Sequence, residues 1–223
     1  MKNQISEEKR TQIETIQKFV KSKMEGEGTG HDWFHVERVV ATAKRICLKE
    51  KNADKFLVEA AALLHDIGDW KLNSSGRTEE EILRSVCKKL DLEDSDSKRI
   101  IEIIINMSFS ANIGSKKKLC LEGQIVQDAD RLDALGAIGI ARAFAYGGKK
   151  GRELYNPTKK PKKFASTTSY RNSDGPTINH FYEKLFLIKK QLNTKEAVKI
   201  AEKREKFMKE FLKEFYSEWE GKR

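Results

Sequence analysis

This chain of 223 residues has four histidines, and two of them, His31 and His35, stand four apart in "HDWFHVERV" while His65 opens "HDIGD". Imidazole nitrogen and carboxylate oxygen together are donors for Mn, Fe, Ni, Co, Zn or Mg. The candidate donors are His35, the adjacent pair His65 and Asp66, and Asp130 in "QDADRLDALG". No paired cysteines accompany them, which argues against a structural zinc site. Asp66 follows the apolar run "AALL", and Asp130 lies within a cluster of three acids, Asp128, Asp130 and Asp133, in an otherwise apolar stretch. A carboxylate is costly there without a partner, and a divalent cation is one such partner. Adjacent residues on a helix point about a quarter turn apart, so one ion can collect both His65 and Asp66 only at an exposed turn.

The elements that must position these groups read as helices. Ile13, Ile16, Phe19, Val20 and Met24 recur three or four apart, and then "EGEGTG" breaks the pattern with a turn. The spacing predicts a second helix carrying Phe34, Val36, Val39, Val40, Ala43, Ile46 and Cys47. A third runs from Asp54, a good N-cap, through Leu57, Ala60, Ala61 and Leu64. "TEEE" at Thr78 caps a fourth, and "KRIIEIIINM" after an acidic stretch reads as a buried helix in spite of its isoleucines. From Leu119 a long, mostly buried helix follows, with Gly136 as a point of bending or breakage. All three prolines fall within residues 147–176, the one long irregular segment, which reads as a lid or a linker. "TINHFYEKLFLIKKQL" and a regular run from Thr194 to Trp219 return to helix. No alternation of strand and helix is visible, so the class is all-α.

A formal charge of +10 favours polyanionic partners, from phosphorylated small molecules to nucleic acid, although a lysine on a helix is more often a solvating group. Cys47, Cys87 and Cys120 are odd in number and widely spaced, the pattern of core thiols in a reducing compartment. The amino end shows no apolar signal core, and no run of about 18 apolar residues suits a membrane span. A cytoplasmic protein that does not engage membranes is the expectation.

His35, then His65 with Asp66, then Asp130, in that order with helical segments between, resembles the H…HD…D signature of the HD-domain metal-dependent phosphohydrolases. The blocks "HDWFHVERV", "LLHDIGD", "QDADRLDALGAIGIARAFAYGG" and "INHFYEKL" are similar to the small stand-alone bacterial branch, some of whose members are nucleoside triphosphate pyrophosphohydrolases. The resemblance spans about residues 15–220 and implies one HD-type domain over 1–223. Within it, about 25–146 would form the metal-binding core, 147–176 a loop or lid, and 177–220 the C-terminal helices. It implies an all-helical bundle in which His35, His65, Asp66 and Asp130 hold one divalent ion (Mn, Fe, Ni, Co or Mg), and a hydroxide on that ion attacks phosphorus.

Around that centre, Asp66 is expected to take part in catalysis as well as ligation. Asp69, four residues after His65, would orient the attacking water or accept its proton, with a pairing to Lys71 as the competing role. His31 would donate to a phosphate or a leaving oxygen with Asp32 holding its tautomer, unless Asp32 serves only as a helix cap. Arg38, Lys71, Arg131, His180 and Lys184 are the cations set in the motif blocks and are candidates for phosphate binding. The expected substrate is a nucleotide, with a triphosphate cleaved to monophosphate and pyrophosphate. A nucleoside monophosphate, an alarmone or a cyclic nucleotide is the alternative phosphoester. A non-catalytic basic module that grips nucleic acid is the reading from a different class. It is disfavoured because the acids at 66, 69, 128, 130 and 133 repel phosphate unless a cation intervenes. Oligomeric state is left open, and a homodimer is compatible with the sequence.

Overall fold

The computed structural model describes residues 5–24, 32–67, 76–107, 119–164 and 174–223. The turn expected over residues 25–30 lies outside them. Every regular element among the described residues is helical: α1 (Glu7–Met24), α2 (Trp33–Cys47), α3 (Lys55–Leu64), α4 (Glu79–Lys89), α5 (Asp94–Met107), α6 (Leu121–Asp133), α7 (Gly136–Lys149), α8 (Thr177–Glu183), a 3-10 segment (Leu185–Gln191) and α9 (Lys195–Trp219). The chain divides into two compact units, Met1–Asp130 and Arg131–Arg223, with the boundary inside α6.

In the first unit α3 is the central helix. Phe56, Leu57, Val58 and then Ala60 through Leu64 are buried, and α3 packs against α1, α2 and α5. Its only interruption is Glu59, which reaches Lys44 on α2 at 2.7 Å. Asp54 starts it by accepting hydrogen bonds from the Phe56 and Leu57 amides at 3.0 and 3.2 Å, satisfying donors that a helix start leaves open. α1 offers Ile13, Ile16, Val20 and Met24 to this core, and α2 offers Trp33, Val36, Val39, Ala43 and Ile46. Each Val, Ile or Met among them stabilises by about 1.5–3 kcal/mol when fully buried. Thr78 and Glu81 form the capping box of α4, each side chain bonding the other's backbone amide. The isoleucine-rich stretch is helical as expected: α5 begins in the acidic run and buries Ile100, Ile101, Ile103 and Ile104.

In the second unit α7 and α9 pack together, and Phe144, Phe181, Phe211 and Phe215 build an aromatic core between α7, α8 and α9. The break expected at Gly136 is present. That residue has φ +78°, a conformation glycine adopts without strain, and Arg204 closes the end of α6 by donating to the Leu132 carbonyl. The following stretch departs from the sequence reading. "TINHFYEKLFLIKKQL" is two pieces, because Lys184 leaves helical geometry at φ −139° and the chain tightens into the 3-10 segment. Packing decides this: Phe186 seats its ring edge-on against both Phe181 and Tyr182, and tertiary contact outweighs helix propensity.

The cysteines also divide. Cys47 and Cys87 are buried thiols, whereas Cys120 is exposed just before α6, where its sulfur accepts from the Gly123 amide.

Candidate metal centre

Three loci of the first unit bring the donors together. His35 sits in the first turn of α2, and that turn is fixed because Asp32 accepts a hydrogen bond from the His35 amide at 2.8 Å. α3 ends at Leu64, and residues 65–67 form a turn closed by the Ile67 amide on the Leu64 carbonyl at 3.0 Å. Leaving the helix at this point lets neighbouring His65 and Asp66 reach one centre. Asp130 approaches from α6.

The geometry fits a divalent cation. His35 Nε2 and His65 Nε2 are 3.3 Å apart, and Asp66 Oδ2 is 3.5 Å from each. The centre of a nearly equilateral triangle with these edges lies about 2.0 Å from every corner, the bond length from a first-row divalent ion or Mg to imidazole nitrogen or carboxylate oxygen. Asp130 Oδ1 lies beside this triangle, 3.5 Å from His35 Nε2 and 3.9 Å from His65 Nε2.

The tautomer is set by the backbone. His65 Nδ1 lies 2.8 Å from the Ala62 carbonyl, which can only accept, so Nδ1 carries the proton and Nε2 turns its lone pair to the centre. His35 is fully buried, and His65 and Asp66 nearly so, whereas the Asp130 side chain is 40% exposed and marks the side open to solvent. Desolvation acts to raise the Asp130 pKa. The hydrogen bond with His35 is the leading opposing influence, and the carboxyl is held below its usual range. It is therefore an anion ready to bind a cation.

The three aspartates of α6 do different work. Asp130 joins the centre, Asp133 is buried and paired with Arg142 at 2.6 Å, and Asp128 is fully buried. Of the expected phosphate-binding cations, Arg38 lies on α2 one turn beyond His35, half-buried. Arg131 donates from its guanidinium to the Gln191 carbonyl. His180 and Lys184 bracket the end of α8, where the Lys184 amide donates to the His180 carbonyl. Burial first, then the neighbouring charges of Lys184 and Arg152, lowers the His180 pKa to about 3 and leaves its ring neutral. Arg152 was not among the sequence candidates; "GGKKGRELY" carries no motif, and only the fold brings it close to His180. His31, Asp69 and Lys71 lie outside the described residues.

An all-helical unit with two histidines and two aspartates converging in this order is the core of an HD domain. The chain belongs to the HD-domain family, whose model matches residues 33–135, and it is a metal-dependent phosphohydrolase of that kind. Among its relatives, the uncharacterized protein YpgQ of Bacillus subtilis is 40% identical over 198 residues, 88% of each chain. The crystal structure of YpgQ in complex with ADP aligns with TM-score 0.75 and 36% identity over 94% of this chain and 96% of that one. An HD-superfamily hydrolase from Bacillus thuringiensis aligns at 42% identity and TM-score 0.76, covering 95% and 98%. A crystal structure from Lactobacillus plantarum reaches TM-score 0.80 at 38% identity, covering 98% and 100%.

Proposed function

We propose that the substrate is a nucleotide and that a nucleoside triphosphate is cleaved to monophosphate and pyrophosphate: water attacks the α-phosphorus, and the bridging oxygen departs with the β- and γ-phosphates. The observation that carries the hydrolytic reading is the triangle of His35 Nε2, His65 Nε2 and Asp66 Oδ2, sized for one divalent ion. When bound, that ion supplies a Lewis acid that makes water nucleophilic near neutral pH and screens the phosphoryl charge.

The chain's own groups divide the remaining tasks. His35, His65, Asp66 and Asp130 hold the ion, and the Ala62 carbonyl keeps His65 in its ligating tautomer. Asp69 accepts the proton of the attacking water, and His31 donates to the leaving oxygen. Arg38 meets phosphate from the flank of α2, and in the second unit His180, Lys184 and Arg152 gather positive potential around a neutral ring, a setting suited to phosphate oxygens. Support for a nucleotide comes from the net charge of +10 and from the ADP held by the B. subtilis relative. Unpaired Cys47, Cys87 and Cys120 suit the cytoplasm. Among the described residues no helix is long and apolar enough to cross a membrane.

A screen tests the reading: nucleoside mono-, di- and triphosphates, cyclic nucleotides and other phosphoesters with Mn, Fe, Ni, Co or Mg, following orthophosphate and pyrophosphate. Pyrophosphate from triphosphates supports it. Orthophosphate from monophosphates alone replaces it with a phosphomonoesterase, and metal-free protein that binds oligonucleotides in a salt-sensitive manner replaces it with the nucleic-acid module.

A further inference from the structure

The three helices that deliver ligands meet again at their other ends. Glu122, in the first turn of α6 and only 7% exposed, accepts the Asp54 amide at 2.9 Å through Oε1. Asp54 is the N-cap of α3. Arg99, from α5, bridges the two carboxylates, 3.6 Å from Asp54 Oδ2 and 3.7 Å from Glu122 Oε1. Cys47, the last residue of α2, lies in the same field: burial raises its thiol pKa, and after the opposing charge of Lys55 the charges of Glu122 and Asp54 raise it further.

At about 1.5 Å per residue, the Asp54–Glu122–Arg99 knot stands about 18 Å along α2 from His35, about 16 Å along α3 from His65, and about 12 Å along α6 from Asp130. α3 and α6 therefore run parallel, tied at their starts by Glu122 and brought together at their far ends by the ligands. A one-residue slide of α6 along α3 would move Asp130 by about 1.5 Å, most of a metal–ligand bond.

We propose that Glu122 is a positioning residue for the metal centre: by holding the Asp54 amide it sets the longitudinal register of α6 against α3 and so the reach of Asp130. The proposal rests on the metal centre and is independent of which phosphoester is cleaved. Truncating the side chain frees the register, so the centre loses affinity for its ion before the fold is lost.

The test uses metal-stripped full-length protein and reads free Mn²⁺ by electron paramagnetic resonance during titration, with no turnover involved. Glu122→Ala should weaken Mn²⁺ binding about tenfold, and Glu122→Gln, which keeps an acceptor oxygen in place, should stay within about twofold of wild type. Leu83→Ala, a core truncation in α4 away from every ligand, supplies the comparison for a purely structural loss and should leave the affinity unchanged. Should Glu122→Ala fail to fold, Glu122→Asp takes its place, because its shorter arm keeps the charge but falls short of the Asp54 amide. Wild-type affinity in the Ala or Asp variant overturns the proposal, as does an equal loss in Leu83→Ala. A wild-type protein that binds no Mn²⁺ removes the metal centre itself, and that outcome shows before any variant is made.

Discussion

At the scale of single residues, the centre is a problem of like charges and lone pairs. Two imidazole nitrogens and the Asp66 carboxylate face one point, with Asp130 beside them, and a divalent cation makes that arrangement favourable. Replacing Asp66 with Ala removes a corner of the triangle, and the expected result is metal content at background by elemental analysis, no phosphohydrolase turnover and an unchanged helical circular dichroism spectrum. Full metal stoichiometry in that variant would remove Asp66 from the ligand set. The candidate donors His35, His65, Asp66 and Asp130 stand out in the sequence because histidine and aspartate contrast with apolar helical stripes. The Ala62 carbonyl that orients His65 was not legible there, since a backbone acceptor has no sequence signature, and neither was the nearness of Arg152 to His180. His180 carries its own prediction. Its folded pKa of about 3 lies below the ordinary histidine value of about 6.5, so between those limits the unfolded chain binds more protons and stability falls as pH falls. Between pH 7 and pH 5 this costs up to about 2 kcal/mol, read as a lower urea midpoint, and His180→Gln should flatten the slope.

At the scale of elements, the helix ends do the positioning. Asp32 and Thr194 are both N-caps, accepting the His35 amide at 2.8 Å and the Ala197 amide at 3.3 Å. Replacing either with Ala should cost about 1 kcal/mol in chemical denaturation. Only Asp32→Ala should also weaken metal binding, because the turn it closes carries a ligand; equal metal affinity in the two variants would count against the cap's part in holding His35. Helix starts at Asp32, Asp54, Thr78 and Thr194 were readable because caps are local chemistry between a side chain and amides two or three residues away. The interruption at Lys184 was not, because it is imposed by Phe186 packing on Phe181 and Tyr182, contacts that periodicity within one segment does not encode. The exposed position of Cys120 escaped for a related reason. It sits in an apolar sequence pattern but falls just outside α6, where its sulfur replaces a missing cap oxygen.

At the scale of the whole molecule, His35, His65, Asp66 and Asp130 all belong to the first compact unit, Met1–Asp130, and the second begins at the next residue. A ligand that binds the folded state and not the unfolded one stabilises it by RT ln(1 + [L]/Kd), about 2.7 kcal/mol at a hundredfold excess over Kd. For a unit of this size that should raise its melting temperature by about 10 °C. The gain requires His35, His65, Asp66 and Asp130 to be held together, so it belongs to the unit that supplies them. Differential scanning calorimetry with Mn²⁺ and with EDTA should therefore show a metal-dependent transition that chelation reverses and Asp66→Ala abolishes. If unfolding resolves into two transitions, only the one assigned to the first unit should move, and Gly136→Ala identifies the other: at φ +78° its added Cβ is strained and would come within 3.0 Å of Arg204 Cγ, lowering the second unit's transition. A metal shift in the transition that Gly136→Ala lowers would mean that the second unit unfolds together with the metal centre.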